Sequence, residues 1–412
     1  DIIKHTQPVL YPAEQRLFFD RLAKFRVKET PQDIRVLSYN LLAECYSTGK
    51  FAYDTMFPHC PLQFISINYR LPMILNELYH LEADIVCLQE TDMNVFKQYI
   101  EPFCRMKLGL VGKIMLKKLI IDNNINTDLT KKEGPAVFYN SKRFELVQDL
   151  SLPSIMEVVK QILENTKDTG SSYRVGEDAM HVTKEDLEML SNLYTDWYKI
   201  TAQMKMPLEQ RTSIESKIHG ASCVTLLLRE IETGKKLLVC SSHFYFHPLA
   251  DSLRAVQAFS VHLYLKNLKE KHSIDGVIFG ADMNSDPGTP ASYIIRNGSS
   301  LKPQRNSFLT SGYEDHPFAS NYFTHWVPGF SCVLDYILFN ESKLKLVKNM
   351  PLVGKAEMKK FILSLGDKFY HDSNPRNGQF KDPLDMYALP NQEHPSDHLP
   401  ISVDLRWSEK FV

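Results

Sequence analysis

The stretch Val277-Ile-Phe-Gly-Ala-Asp-Met-Asn-Ser-Asp-Pro287 decides the fold: four apolar residues long enough for a buried strand, then polar residues and a proline that end it. A buried strand that delivers Asp282 and Asn284 at its end belongs to an α/β protein whose site sits at the strand ends. Working outward, the same apolar, β-branched signature recurs at 34–42, 84–90, 136–139, 223–228, 236–240, 334–339 and 399–405. Helical periodicity lies between, clearest over 67–81 and 253–268. Some strands are close enough for hairpins, so the expectation is an α/β fold with mixed sheets.

Residues 1–32, with the amphipathic run Gln15–Lys24, read as a lead-in helix or docked arm, and 33–412 as the catalytic domain. Two segments break the rhythm and read as insertions: 158–217, charged and helical in pattern, and 355–393, rich in Asp, Asn, Gly and Pro.

The 412 residues, 43% hydrophobic and 24% charged, place the chain among ordinary globular enzymes, and the net charge of −1 leaves any nucleic-acid binding to a local cleft. Seven dispersed cysteines without a Cys-x-x-Cys pair argue against a disulfide framework or structural zinc, and read as thiols of a reducing compartment. No apolar run reaches the ~18 residues a membrane span requires, and no motif identifies a protein partner.

Polar residues close several of the expected strands: Asn40 in Ser-Tyr-Asn-Leu-Leu, Glu90 in Leu-Gln-Glu-Thr, His243 in Ser-Ser-His-Phe, and Asp282 with Asn284. Asp335 lies within Leu-Asp-Tyr-Ile, and Asp397-His398 precede the final strand. Singly, each is a turn former, a helix cap or a satisfied structural histidine; as a set they fit phosphodiester hydrolysis. That reaction needs a hard cation held by oxygen, an activated water and groups that neutralise the phosphate. Glu90 and Asn40 offer carboxylate and amide oxygens for Mg²⁺, with Mn²⁺ as a substitute, and Asp397 is placed to join them. Asp282 can orient or deprotonate water, Asn284 can position it, and His398, steered by Asp335, can donate to a phosphate oxygen as can His243.

These motifs, together with Glu133-Gly-Pro-Ala-Val-Phe-Tyr139 and His-Pro-Ser-Asp-His-Leu-Pro-Ile401, resemble in order those of the exonuclease/endonuclease/phosphatase superfamily and span Arg35 to Trp407. Asn40–Tyr46, Asn68-Tyr-Arg70, His243-Phe-Tyr-Phe-His-Pro248 and Asn321–Tyr336 are similar to its deadenylase branch. The resemblance implies two mixed β-sheets packed as a sandwich flanked by helices, the DNase I-like fold. It implies a Mg²⁺-dependent 3′-end exoribonuclease that releases 5′-AMP from single-stranded adenylate RNA or 2′,5′-oligoadenylate. By motif position Pro248 and Phe330 are the adenine clamp, in keeping with the stacking by which proteins hold unpaired bases. A mitochondrial matrix location is implied, with the cytoplasm as alternative. Two other functions compete: a branch member acting on a nucleotide cofactor or a cyclic phosphate end, and an inactive RNA- or protein-binding module. The complete polar set disfavours the inactive module.

Overall fold

The computed structural model describes residues 17–117, 120–121, 124–125, 133–152, 154–155, 173–175, 178–180, 183–203, 222–299, 307–313, 322–364 and 380–408. Twelve strands build its two main sheets: β1 (Ile34–Asn40), β2 (Ile85–Asp92), β3 (Leu110–Ile114), β4 (Glu133–Asn140), β5 (Phe144–Asp149), β6 (Cys223–Glu230), β7 (Lys236–His243), β8 (Gly276–Asp282), β9 (Thr310–Ser311), β10 (Asp335–Phe339), β11 (Leu344–Asn349) and β12 (Ile401–Trp407). The first sheet runs β11-β12-β1-β2-β4-β3 and the second β9-β10-β8-β7-β6-β5.

Each sheet has one parallel pair, β1 with β2 and β7 with β8, and its other pairings are antiparallel. Parallel strands finish at one end of the sandwich, and the antiparallel β10 and β12 start there. This arrangement gathers Asn40, Glu90, His243 and Asp282 from strand ends with Asp335 and His398 from strand beginnings. The ladders hold the register: His243 lies opposite Asp282, and Asp282 opposite Asp335.

Alternation along β1 shows why the sheets pack. Ile34 and Val36 enter the core between the sheets with Ile85, Val239, Ile278, Ile337 and Val403. Leu37 and Tyr39 face the other way, against the helices Leu17–Phe25 and Ile67–Leu81. The helix Asp251–Lys271 covers the second sheet. Towards the site end the filling between the sheets turns small and polar. Gln89 Nε2 donates to Ser241 Oγ at 3.1 Å, and a Cβ on Gly280 would stand 2.7 Å from Cys87 Cβ.

The lead-in helix Leu17–Phe25 is docked through buried Phe18, Leu22 and Phe25, and Arg21 donates to the carbonyls of Pro351 and Pro400. Residues 1–16 lie outside the described residues. Of segment 158–217, the helix Lys184–Gln203 lies against Asp251–Lys271 with Leu190 buried, and most of the remainder lies outside the described residues. The ends of 355–393 are part of the fold rather than an excursion from it: Met358, Ile362, Tyr387 and Leu389 share a small core with Phe323, Trp326 and Leu399. Among the described residues no helix is long and apolar enough to cross a membrane.

Candidate active site

Three residues at the site end have positive φ without being glycine: Leu42 at 57°, Glu90 at 51° and Asn284 at 48°. Each such conformation costs on the order of 1–3 kcal/mol, and residues held in it cluster at functional sites. Glu90 also sits where the β2–β4 register shifts between Leu88 and Thr91, a bulge that re-aims its side chain.

Buried Asp282 is the hub. Its Oδ1 accepts the Asn284 backbone N–H at 2.9 Å and its Oδ2 the Asn40 Nδ2–H at 2.9 Å. His243 Nε2 and His398 Nε2 each lie 3.5 Å from Oδ2. The opposite ring nitrogen of His398 pairs with Asp335 Oδ2 at 2.8 Å, the carboxylate–imidazole contact expected from the sequence. Burial disfavours the His398 cation, but Asp335 and Asp282 outweigh that and hold its pKa well above the usual histidine value. Burial and the nearby Lys117 and His398 charges push His243 well below it. The two histidines are thus shifted in opposite directions.

Glu90 accepts from Ala43 N–H at 3.0 Å and from Asn40 Nδ2 at 3.2 Å. Burial, then the negative charge of Asp397, raises its pKa to about 8. Asp397 is pushed up by burial, but the hydrogen bond from His325 and the charge of His398 bring it down to about 2.

Asn40 sits between the Glu90 and Asp282 carboxylates. Its Oδ1 is occupied by the Leu42 backbone N–H at 3.0 Å, which turns Nδ2 towards Glu90 and Asp282. As placed, it offers the carboxylates two N–H bonds. Pro248 stands exposed on the loop after β7, and Phe330, half-exposed at the start of the short strand Phe330–Cys332, has its ring 5.6 Å from that of His325.

Two residues went unnominated in the sequence. His325 Nε2 lies 3.4 Å from Asp397 Oδ2, and its ring is 4.5 Å from that of His398. Lys117 Nζ is 2.9 Å from His243 Nδ1 and 2.6 Å from Glu133 Oε1. His325 lies inside the quoted Asn321–Tyr336 stretch, so the signal was there; Lys117 follows an apolar run and looks like any solvated lysine. Arg70, in the quoted Asn68-Tyr-Arg70, is fully buried and donates to the carbonyls of Ile65, Leu41, Leu42 and Pro395 and to Ser47 Oγ. It ties the loop after β1 to the loop carrying Asp397.

The donor set fits a divalent cation. Asp282, Asp335 and His398 bring ligand atoms within 4.8 Å of one another, as do His325, Asp397 and His398. The partly buried Glu90 carboxyl lies beside the negative charge of Asp397, and oxygen donors suit a hard ion.

The family model Endonuclease/Exonuclease/phosphatase matches residues 67–398. The chain is 26% identical over 404 residues to 2′,5′-phosphodiesterase 12 of Rattus norvegicus, covering 94% of this chain and 54% of that protein. It is 21% identical over 409 residues to a CCR4-Not complex 3′-5′-exoribonuclease subunit of Schizosaccharomyces pombe, covering 90% and 49%. The chain thus spans about half the length of these curated relatives. The solved structure of ANGEL2, a 2′,3′-cyclic phosphatase, in complex with adenosine-2′,3′-vanadate, shares the fold at a TM-score of 0.58 and 16% identity, covering 91% of this chain and 96% of that one.

Proposed function

The chain belongs to the Endonuclease/Exonuclease/phosphatase family, and on that premise we propose that it is a Mg²⁺-dependent phosphodiesterase that removes 5′-AMP from the 3′ end of oligoadenylate, in 2′,5′ as well as 3′,5′ linkage. The observation that carries the reading is the convergence of Asn40, Glu90 and His398 from one sheet with His243, Asp282, Asn284 and Asp335 from the other. The two linkages draw on the names of the two curated relatives, and the adenylate half on the resemblance and on the positions of Pro248 and Phe330. A mitochondrial matrix location belongs to the same proposal and rests on the resemblance; imaging of the tagged natural protein tests it.

Glu90 and Asp397 would hold the ion, and a divalent cation there supplies charge to offset that growing on the phosphate. Asp282 Oδ2, hydrogen-bonded by Asn40, is placed to take a proton from the attacking water while Asn284 holds the water in line. Cationic His398, oriented by Asp335, hydrogen-bonds a non-bridging phosphate oxygen. Neutral His243 donates to the phosphate from the other side. Pro248 and Phe330 sandwich the terminal adenine.

Product analysis on matched 2′,5′- and 3′,5′-oligoadenylates, wild type against Glu90→Ala, tests the reading. The expected result is 5′-AMP from both linkages and a loss of about 10²-fold or more in the variant, on the scale of losing one preorganised electrostatic contributor. Wild-type rates for Glu90→Ala in limiting magnesium would remove Glu90 from the metal site. A chain that cuts neither substrate would return the reading to a binding module.

A further inference from the structure

Lys117 is absorbed by none of the roles above, yet its ammonium is held firmly beside the site. Its backbone N–H donates to Glu133 O at 3.0 Å, strapping the segment after β3 to the start of β4. Gly134 permits the approach, since a Cβ there would fall 2.0 Å from Met115 O. Nζ lies 2.6 Å from Glu133 Oε1, which also accepts from Tyr46 Oη at 2.9 Å, and 6.0 Å from the centre of the Tyr46 ring. The remaining contact is His243 Nδ1 at 2.9 Å.

An ammonium carries hydrogens and no lone pair. The ring nitrogen facing it must accept and so carries no proton, which leaves the ring's N–H on Nε2. Nε2 faces Asn284 Nδ2 at 3.0 Å, and that amide nitrogen already donates to Phe244 O at 3.1 Å. Two N–H groups thus converge without bonding each other, and the oxygens facing Nε2 are only the longer contacts to Asp282 Oδ2 at 3.5 Å and Glu90 Oε1 at 3.8 Å. An anionic oxygen entering between them would accept from both, with the Lys117 charge behind the ring.

We propose that Lys117, by holding the Nδ1 lone pair of His243, keeps that ring in the Nε2–H form, so that His243 and Asn284 face the site as paired donors for a non-bridging phosphate oxygen. The inference deepens the phosphodiesterase reading and rests on it for the identity of the oxygen. Lys117 is a positioning residue acting through His243; it carries no proton in the reaction.

The experiment has two arms on the full chain. Nitrogen-15 side-chain NMR of the substrate-free protein, with His243 assigned through His243→Gln, should show Nε2–H in wild type and in Lys117→Arg. In Lys117→Met it should show a shift towards Nδ1–H. Kinetics on oligoadenylate should show Lys117→Met losing about 10²-fold in kcat, the scale of one oxyanion donor. KM should hold within about threefold, and Lys117→Arg should recover most of the loss. In a His243→Gln background, Lys117→Met should cost less than about threefold more, because residues acting as one unit are not additive. Wild-type His243 in the Nδ1–H form, or losses that multiply in the double variant, would overturn the proposal. If wild type cleaves no phosphodiester, the functional reading fails and the NMR arm still decides what Lys117 does.

Discussion

At the scale of single residues, two histidines are shifted in opposite directions: burial and the Lys117 charge lower His243, while Asp335 and Asp282 outweigh burial and raise His398. His398 faces the carboxylate of Asp335, and His243 faces the ammonium of Lys117. The histidine–aspartate pair was legible because both residues sit in motifs with a shared chemical logic. The lysine was not, because nothing in a linear sequence marks which solvated cation folds back onto a ring. Asn40 shows a subtler limit: its position was readable, but which end of its amide faces the carboxylates depends on the Leu42 N–H across a tight turn. The clamp is tested at this scale too. Stacking is worth about 1–3 kcal/mol per base, so Phe330→Ala should lower kcat/KM on oligoadenylate by roughly 5- to 150-fold and leave a simple aryl phosphodiester nearly unchanged; equal losses on both would sink the assignment.

At the scale of elements, the hairpin Trp326 to Phe330 is braced from below. Asp385 accepts from Trp326 Nε1 at 3.0 Å and from the Gly329 backbone N–H at 2.7 Å, where φ is +81° and glycine is favoured. Lys355 lies 3.5 Å from the same carboxylate. Asp385→Ala leaves a buried indole N–H without its acceptor, a loss of about 1.5–3 kcal/mol for a charge-assisted bond. The expected outcome is a melting temperature several degrees lower and a raised KM for oligoadenylate, with aryl phosphodiester turnover largely kept; an unchanged KM would show that the brace does not hold Phe330. The eight strands expected from continuous apolar runs all form, because strands covered on both faces need such residues. Four strands were not legible: β9, only two residues long, and β3, β5 and β11. Each of the last three mixes charged or half-buried residues into its pattern, as in Leu344-Lys-Leu-Val-Lys-Asn349, since an edge-side strand buries less of itself.

At the scale of the whole molecule, His59 and His262 are buried away from the site and brought down to about 4 by desolvation. Their unfolded value of about 6.5 is higher, so unfolding takes up protons between the two values. The stability these residues contribute is intact above pH 6.5 and is lost as the pH falls towards 4, by about 3 kcal/mol each. Thermal melts between pH 7 and 4.5 should show that loss, and it should be shallower in His59→Gln and His262→Gln; an unaltered slope would exclude them as its source. Sequence could not show this, because burial of a histidine is a tertiary fact. The place of β12 carries a different consequence. It fills the slot between β1 and β11, and the residues just before it are Asp397 and His398. A nascent chain stopped short of position 397 would lack a strand of its first sheet as well as its cationic histidine. The step that completes this sheet also delivers two residues of the site, so an unfinished copy lacks both at once.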